Sequence, residues 1–364
     1  MPCFGNGRTK DPHSCEDHRP TCRGPAPQGR LPGPRPAPYV PAQHPRPDQP
    51  QRQSLQRFTY GELHAATYGF SERRVVGEGG FGYVYWGRLR SGVHVAVKRL
   101  DRRGQQGDRE FNVEVDMLTR LHHPNLITLL GVCVEDDHRA AVFQLMHGGC
   151  LRGALDAGMA TEPVTSTAHF LPRHPLCWTA RLNAAVGAAA GLAFLHEEAR
   201  PSILHRDVKS TNILLDEADC ACIGDLGLAR SAAVAPHRHG SHAETLNGTF
   251  GYLAPEYMLN GQHSHKSDVY AFGVVLLELL TGQQPVDPMR RSAPSLVQHM
   301  LPHLCSIDRA QAHLDPVICR EPISVPQLVI FLDITAACLL ERPQNRPTMT
   351  TAAQPQHVTY TAAS

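Results

Sequence analysis

The stretch His205-Arg206-Asp207-Val208-Lys209-Ser210-Thr211-Asn212 constrains this chain more than any other. It reads H-R-D-x-K-x-x-N and runs into the apolar segment Ile213-Leu214-Leu215. Its side chains suit one chemistry. Asp207 offers a carboxylate that can orient a hydroxyl and take its proton. Lys209 can steady the negative charge of a group in transfer, and Asn212 has an amide oxygen that can hold a divalent cation. Shortly after, Gly224-Asp225-Leu226-Gly227 follows the D-F-G pattern and supplies a second metal-binding group, the Asp225 carboxylate. Leu226 replaces the usual aromatic, so an apolar packing role is expected there, with a shifted conformational switch. Cys220 and Cys222 alternate just before it; with no second pair to complete a metal set, core packing is the expected role.

Gly77-Glu78-Gly79-Gly80-Phe81-Gly82-Tyr83-Val84 reads G-x-G-x-x-G-x-V. Alone this is a weak signal, because dinucleotide-binding folds share it. In those folds the third glycine opens a helix. Here it leads into Val84-Tyr85-Trp86, a Ser91-Gly92 turn and Val93-His94-Val95-Ala96-Val97, which is strand composition on both sides. The loop is expected to join two antiparallel strands and to cover phosphates, unless it is a plain glycine-rich hairpin turn.

Alternation along the next strand places Val93, Val95 and Val97 on one face and His94, Ala96 and Lys98 on the other. A lone lysine at a strand end is normally solvated. The following segment argues otherwise: Phe111, Val115 and Leu118 form a helical apolar stripe, and Glu114 falls inside it. A carboxylate on a buried face needs a cationic partner, and Lys98 is the natural one. Paired in this way, Lys98 would be held against nucleotide phosphates.

Residues 1–57 contain 13 of the 30 prolines, and Arg and Lys outnumber Asp and Glu there by 9 to 4. Disorder is expected for them. His13, Cys15, His18 and Cys22 fit no common zinc spacing. A short helical pattern (Phe58, Leu63, Ala66, Phe70) gives a helical extension over 58–74. The folded body is expected over 75–350, divided at 146/147, with a flexible tail over 351–364. A net charge of +1 gives no reason to expect a nucleic-acid partner. The 11 cysteines are mostly isolated in apolar runs and read as reduced thiols. With no apolar leader and no span longer than Val269–Leu280, a cytoplasmic location is expected.

Ala254-Pro255-Glu256 closes the segment that begins at Asp225. Such segments are ordered when a negative charge pairs with the arginine beside the catalytic aspartate, here Arg206. Ser231, Ser241, Thr245 and Thr249 supply hydroxyls, and Glu244 a fixed charge. Arg346 is the expected partner of Glu256, and Asp268 reads as a helix cap.

Taken together, the chain resembles plant receptor-like cytoplasmic kinases of the Pelle/receptor-like group. The group-specific stretches are Phe58-Thr59-Tyr60-Gly61-Glu62-Leu63, His122-His123-Pro124-Asn125-Leu126, Asn212 to Asp216, and Gly248-Thr249-Phe250-Gly251-Tyr252-Leu253-Ala254-Pro255-Glu256-Tyr257. The resemblance covers about Phe58 to Met349. It implies an α+β, two-lobed protein kinase fold, with a small β-rich lobe carrying one main helix and a larger helical lobe. It also implies Ser/Thr specificity, ATP with Mg²⁺ (or Mn²⁺) as cofactors, protein substrates, and a receptor kinase upstream in immunity or development. Asp207, Lys209, Lys98 and Glu114 would be catalytic. Gly77, Glu78, Gly79, Gly80, Phe81, Gly82, Val84, Ala96, Lys98 and Leu214 would bind ATP, with Phe143 as gatekeeper. Asn212 and Asp225 would bind metal, Asp268 would anchor the catalytic loop, and Arg206, Glu244, Thr245 and Thr249 would regulate. Residue 2 is Pro where members often have the myristoylated Gly, so attachment to the plasma membrane would rest on palmitoylation of Cys3 and the basic N-terminal segment. The alternative function is a catalytically weak kinase-fold scaffold. A third reading, the intracellular part of a receptor, finds no membrane span in the sequence.

Overall fold

The computed structural model describes residues 55–79, 82–100, 105–159, 175–233, 247–290, 293–320 and 322–354. Its N-terminal part is a six-stranded sheet. The strands are β1 (Gln56–Arg57), β2 (Val75–Gly79), β3 (Gly82–Arg88), β4 (His94–Leu100), β5 (Leu129–Glu135) and β6 (His138–Gln144), in the order β1-β5-β6-β4-β3-β2. All neighbours are antiparallel except β1 on β5. The expected alternation holds within β4: Val95 and Val97 are fully buried, while Ala96 and Lys98 are half-buried on the other face. Val93, just outside the strand, is exposed.

Helix α1 (Tyr60–Ala66) starts at a capping box. Thr59 Oγ1 accepts from the Glu62 N–H, and the Glu62 carboxylate accepts from the Thr59 N–H at 2.8 Å. Its buried Leu63, with Phe58 and Phe70, shares one apolar cluster with Tyr85, Val95, Val97 and Val142 of the sheet. The boundary expected at residue 57 is therefore corrected. Leu55 packs on the core and Gln56–Arg57 form a strand. The approach is that close because residue 131 is glycine; a Cβ there would collide with the Gln56 carbonyl and the Phe58 ring.

Helix α2 (Gln105–Leu118) packs on this sheet. The C-terminal part is helical: α3 (Leu151–Met159), α4 (Trp178–Ala193, ending in a π-helical turn over Phe194–Glu198), α5 (Pro255–Asn260), α6 (His265–Thr281), α7 (Leu296–Met300), α8 (Ile307–Gln311), α9 (Val325–Cys338) and α10 (Met349–Ala353). Short strands β7 (Ile203–Leu204) and β10 (Arg230–Ser231) pair with each other, as do β8 (Ile213–Leu215) and β9 (Ala221–Ile223). Apolar on all sides, α6 is buried along nearly its whole length, and α4, α7 and α9 pack against it. The C-terminal boundary expected at 350 also moves. Helix α10 runs to Ala353 and packs on α4, with Met349 and Ala352 buried. A sheet with one main helix and a helical body make this the two-lobed α+β fold.

Candidate active site

The site lies where the sheet meets the helical body. Gly77 opposes Val84 and Gly79 opposes Gly82 across β2 and β3, so the glycine loop is the tip of an antiparallel hairpin. Gly80 and Phe81 lie outside the described residues. Glu78 is exposed. Val84 and Ala96 are half-buried on neighbouring strands, and half-buried Leu214 comes from β8 below. Phe143 pairs with Ala96 across β4 and β6 and is buried.

Lys98 Nζ lies 2.8 Å from Glu114 Oε2 and 2.9 Å from Asp225 Oδ1. Burial works against the ammonium charge, but the two carboxylates outweigh it and hold the Lys98 pKa above its ordinary value. Glu114 is almost completely buried, which pushes its carboxyl up despite Lys98. Burial would also raise Asp225, but Lys98 overrides it and keeps the carboxyl below its usual range. One lysine thus joins α2 to the segment of Asp225. Leu226 is fully buried in the cluster that holds Phe111 and Leu118 of α2, the packing role expected of it.

The catalytic loop is held from beneath by Asp268. Its Oδ2 accepts from the His205 N–H at 2.8 Å, its Oδ1 from the Arg206 N–H at 2.9 Å, and His196 Nε2 lies 2.9 Å away. Asp268 anchors the catalytic loop, as the resemblance implies, but it does not cap its helix. Ser264 is the N-cap, and Asp268 lies one turn further in, satisfying the loop instead. Burial alone would raise its carboxyl, but His196, His263 and His205 push it well below the carboxylate range. His205 accepts from the Asp207 N–H at Nδ1 and lies 3.0 Å from the Gly224 carbonyl at Nε2, so the bonds require the Nε2–H tautomer. Arg206 and Asp225 have φ of 73° and 58°, the left-handed region that non-glycine residues seldom enter.

Above this frame, Asp207 meets three partners. Lys209 Nζ is 2.7 Å from its Oδ2, Thr249 Oγ1 donates to its Oδ1 at 2.7 Å, and Asn212 Nδ2 donates to its backbone carbonyl at 2.9 Å. Because the amide nitrogen of Asn212 is used on Asp207, the remaining acceptor is Oδ1, the atom a divalent ion takes. Asn212 and Asp225 thus fit a metal. Thr249, expected as a loop hydroxyl, belongs to the catalytic cluster in this geometry. Arg206 is buried and donates to the Leu228 carbonyl at 3.4 Å. Ser241, Glu244 and Thr245 lie outside the described residues.

Two features escaped the sequence reading. Glu278 of α6 accepts from Ser210 Oγ at 2.8 Å, Tyr252 Oη at 2.8 Å and Arg152 Nη1 at 3.1 Å. Burial pushes its carboxyl up to about 7. This buried group ties the catalytic loop to the segment after Thr249. Arg181 is fully buried against Asp315 at 2.5 Å. The partners of both networks are mostly far apart in the chain, so no local pattern announces them. The Glu256–Arg346 pair was legible: Arg346 Nη1 and Nη2 each lie 2.8 Å from a different Glu256 oxygen. Cys222 is pushed up to about 12 by burial and donates to the Pro124 carbonyl, in keeping with a packing role.

No helix among the described residues is long and apolar enough to cross a membrane. The sequence matches the family described as protein tyrosine and serine/threonine kinase over residues 70–354. Among curated Arabidopsis thaliana proteins, it is 40% identical to receptor-like serine/threonine-protein kinase ALE2 over 85% of the chain and 39% of that protein. It is 43% identical to probable serine/threonine-protein kinase PBL25 over 80% of the chain and 74% of that protein. With serine/threonine-protein kinase PBL27 it shares 43% identity over 81% of the chain and 55% of that protein. The chain therefore spans well under two thirds of some of these relatives and about three quarters of another. On family match and identity alike, the chain belongs to the protein tyrosine and serine/threonine kinase family, as a kinase of the plant receptor-like cytoplasmic type.

Proposed function

We propose that the chain transfers the γ-phosphoryl group of ATP, with Mg²⁺, to serine or threonine hydroxyls of proteins in receptor-linked signalling. The observation that carries this is the joined set Lys98–Glu114–Asp225 facing Asp207, Lys209 and Asn212. The magnesium ion, held by Asn212 and Asp225, would neutralise phosphate charge. Lys98 holds the α- and β-phosphates under the hairpin of Gly77 to Gly82, and Val84, Ala96 and Leu214 enclose the adenine. Asp207 orients the acceptor hydroxyl and receives its proton, while Lys209 steadies the γ-phosphoryl charge.

The relatives, named as serine/threonine-protein kinases, support Ser/Thr acceptors, as does Thr249 beside Lys209 and Asp207. Phosphoamino-acid analysis of a labelled protein substrate tests this reading. Label on phosphoserine or phosphothreonine is expected, and label on phosphotyrosine alone would overturn it. The scaffold alternative is not favoured, since none of the five groups Lys98, Glu114, Asp207, Asn212 and Asp225 is replaced.

Regulation by charge on the activation segment belongs to the same proposal. A carboxylate at 244 would pair with Arg206, so Glu244→Ala should lower activity in protein free of phosphate; unchanged activity would remove this role. Attachment through palmitoylated Cys3, outside the described residues, predicts that Cys3→Ser shifts the chain from membrane to soluble fractions. An unchanged distribution would remove it.

A further inference from the structure

The guanidinium of Arg152 spends all five of its N–H groups. Nε and Nη2 donate to Asp156 Oδ1, on the same helix, at 3.1 and 2.7 Å. Nη2 also donates to the Gly282 carbonyl at 2.7 Å and Nη1 to the Gln283 carbonyl at 3.2 Å, which places a cation at the C-terminal end of α6. The remaining N–H of Nη1 donates to Glu278 Oε1 at 3.1 Å. Arg152 is buried, and Glu278 is fully so. Burial works against the guanidinium charge, but Asp156 and Glu278 outweigh it and hold the Arg152 pKa above its ordinary value.

Arg152 also stands at a junction of the backbone, near the start of α3. Its own N–H donates to the Ser210 carbonyl at 3.2 Å. Just before it, the Gly148 N–H donates to the Leu215 carbonyl at 2.9 Å, the Leu215 N–H donates to the Gly149 carbonyl at 2.8 Å, and Cys150 bridges Leu214. Helix α3 thus starts against β8, the strand that carries Leu214. Glu278 extends the link to the acceptor side. Its Oε1 accepts from Ser210 Oγ and its Oε2 from Tyr252 Oη, each at 2.8 Å. Ser210 follows Lys209, and Tyr252 lies shortly after Thr249. Lys209 and Thr249 both meet the Asp207 carboxylate.

A buried ion pair adds little net stability, but removing one partner leaves the other uncompensated. Without the Arg152 cation, burial would drive the Glu278 carboxyl above about 7 and leave a proton on it at neutral pH. A protonated oxygen donates where it now accepts, so a bond from Ser210 or Tyr252 is lost. The two segments that flank Asp207 then lose their common tether.

We propose that Arg152 is a positioning residue for phosphoryl transfer. Through Glu278 and the Ser210 carbonyl it fixes the loop of Asp207 against the segment of Thr249 to Tyr252, and it ties both to the strand of Leu214. The role rests on the proposed phosphoryl transfer, and it gives Arg152 no contact with nucleotide or acceptor.

The test measures kcat, and KM for ATP and for a protein acceptor, in the full chain with Mg²⁺. It compares the natural sequence, Arg152→Gln, Tyr252→Phe, the double variant Arg152→Gln/Tyr252→Phe, and Asp156→Asn. Thermal unfolding checks that each is folded at the assay temperature. Arg152→Gln should lower kcat by about tenfold or more, as for a slightly misplaced reacting group, with KM for ATP changed less than about twofold. Tyr252→Phe should also lower kcat. The double variant should be no slower than the slower single variant, as for groups that act as one unit. Asp156→Asn removes only a bond within α3 and should keep kcat. If Arg152→Gln is unfolded, Arg152→Lys takes its place in the same cycle. It keeps a charge beside Glu278 but lacks the guanidinium fork, so kcat should again fall. An unchanged kcat in the folded Arg152 variant would overturn the role. So would losses that multiply in the double variant, or an equal loss in Asp156→Asn. A natural chain that transfers no phosphate would overturn the proposed function and this role with it, whereas the other outcomes overturn this role alone.

Discussion

Thr249 Oγ1 donates a hydrogen bond to Asp207 Oδ1 at 2.7 Å, and the same hydroxyl accepts one from Lys209 Nζ at 2.9 Å. A hydroxyl 42 residues away thus fixes the orientation of the carboxylate proposed to receive the substrate proton.

Thr249→Ala should therefore lower kcat by about tenfold to a hundredfold, the cost of a modest misplacement of a reacting group, with little change in KM for ATP. Thr249→Ser should retain most of the activity. Thr249→Glu separates positioning from activation by phosphate. A carboxylate against Asp207 should abolish activity, whereas gain of activity would show that Thr249 acts as a charged switch.

Lys98→Met should abolish phosphoryl transfer and also weaken the fold, because Glu114 loses a partner 2.8 Å away in a buried place. Burial already raises the Glu114 carboxyl, and removing Lys98 raises it further. The proton then replaces the lost cation at low pH. Unfolding of Lys98→Met should show a penalty that grows as pH rises above the ordinary carboxylate range. A penalty independent of pH would mean that Glu114 is not the group left uncompensated.

Glu278 gives a second pH signature. Its carboxyl is raised from the ordinary 4.5 to about 7. Between those values the folded protein keeps a proton that the unfolded chain has released. This group's contribution is thus full below the lower value and is lost as pH rises through the upper one. The stability of the natural chain relative to Glu278→Gln should fall over that window. A flat difference would contradict the burial of Glu278.

Arg346→Lys tests the bond between the end of the activation segment and the helical body. Arg346 spans both Glu256 oxygens and also donates to the carbonyls of Leu340, Lys266 and Glu341. One ammonium cannot reach all of these. Arg346→Lys should cost about 3 kcal/mol, as for breaking a buried pair, measured by urea unfolding. A loss near zero would show that a single contact suffices.

Much of the cleft was legible because its side chains interrupt regular patterns. Glu114 stands in an apolar helical stripe and Lys98 ends an alternating strand, so burial alone paired them. The loop of His205 to Asn212 and the Asp225 segment announce themselves by residue type at fixed spacing. What stayed hidden depends on the meeting of distant segments. The cap of α6 is Ser264, one turn before Asp268, whose hold on the loop only the resemblance implied. Glu278 lies in an apolar run, and its partners Arg152, Ser210 and Tyr252 lie on three other segments. Strand β1 has two residues, both exposed, and owes its position to Gly131.

The most direct test of the whole account is phosphate transfer from labelled ATP with Mg²⁺ to a protein acceptor, comparing the natural chain with Asp207→Asn. Incorporation by the natural chain and its loss in Asp207→Asn, with both proteins folded, is the predicted result. Equal, background-level incorporation by both would contradict the proposed activity.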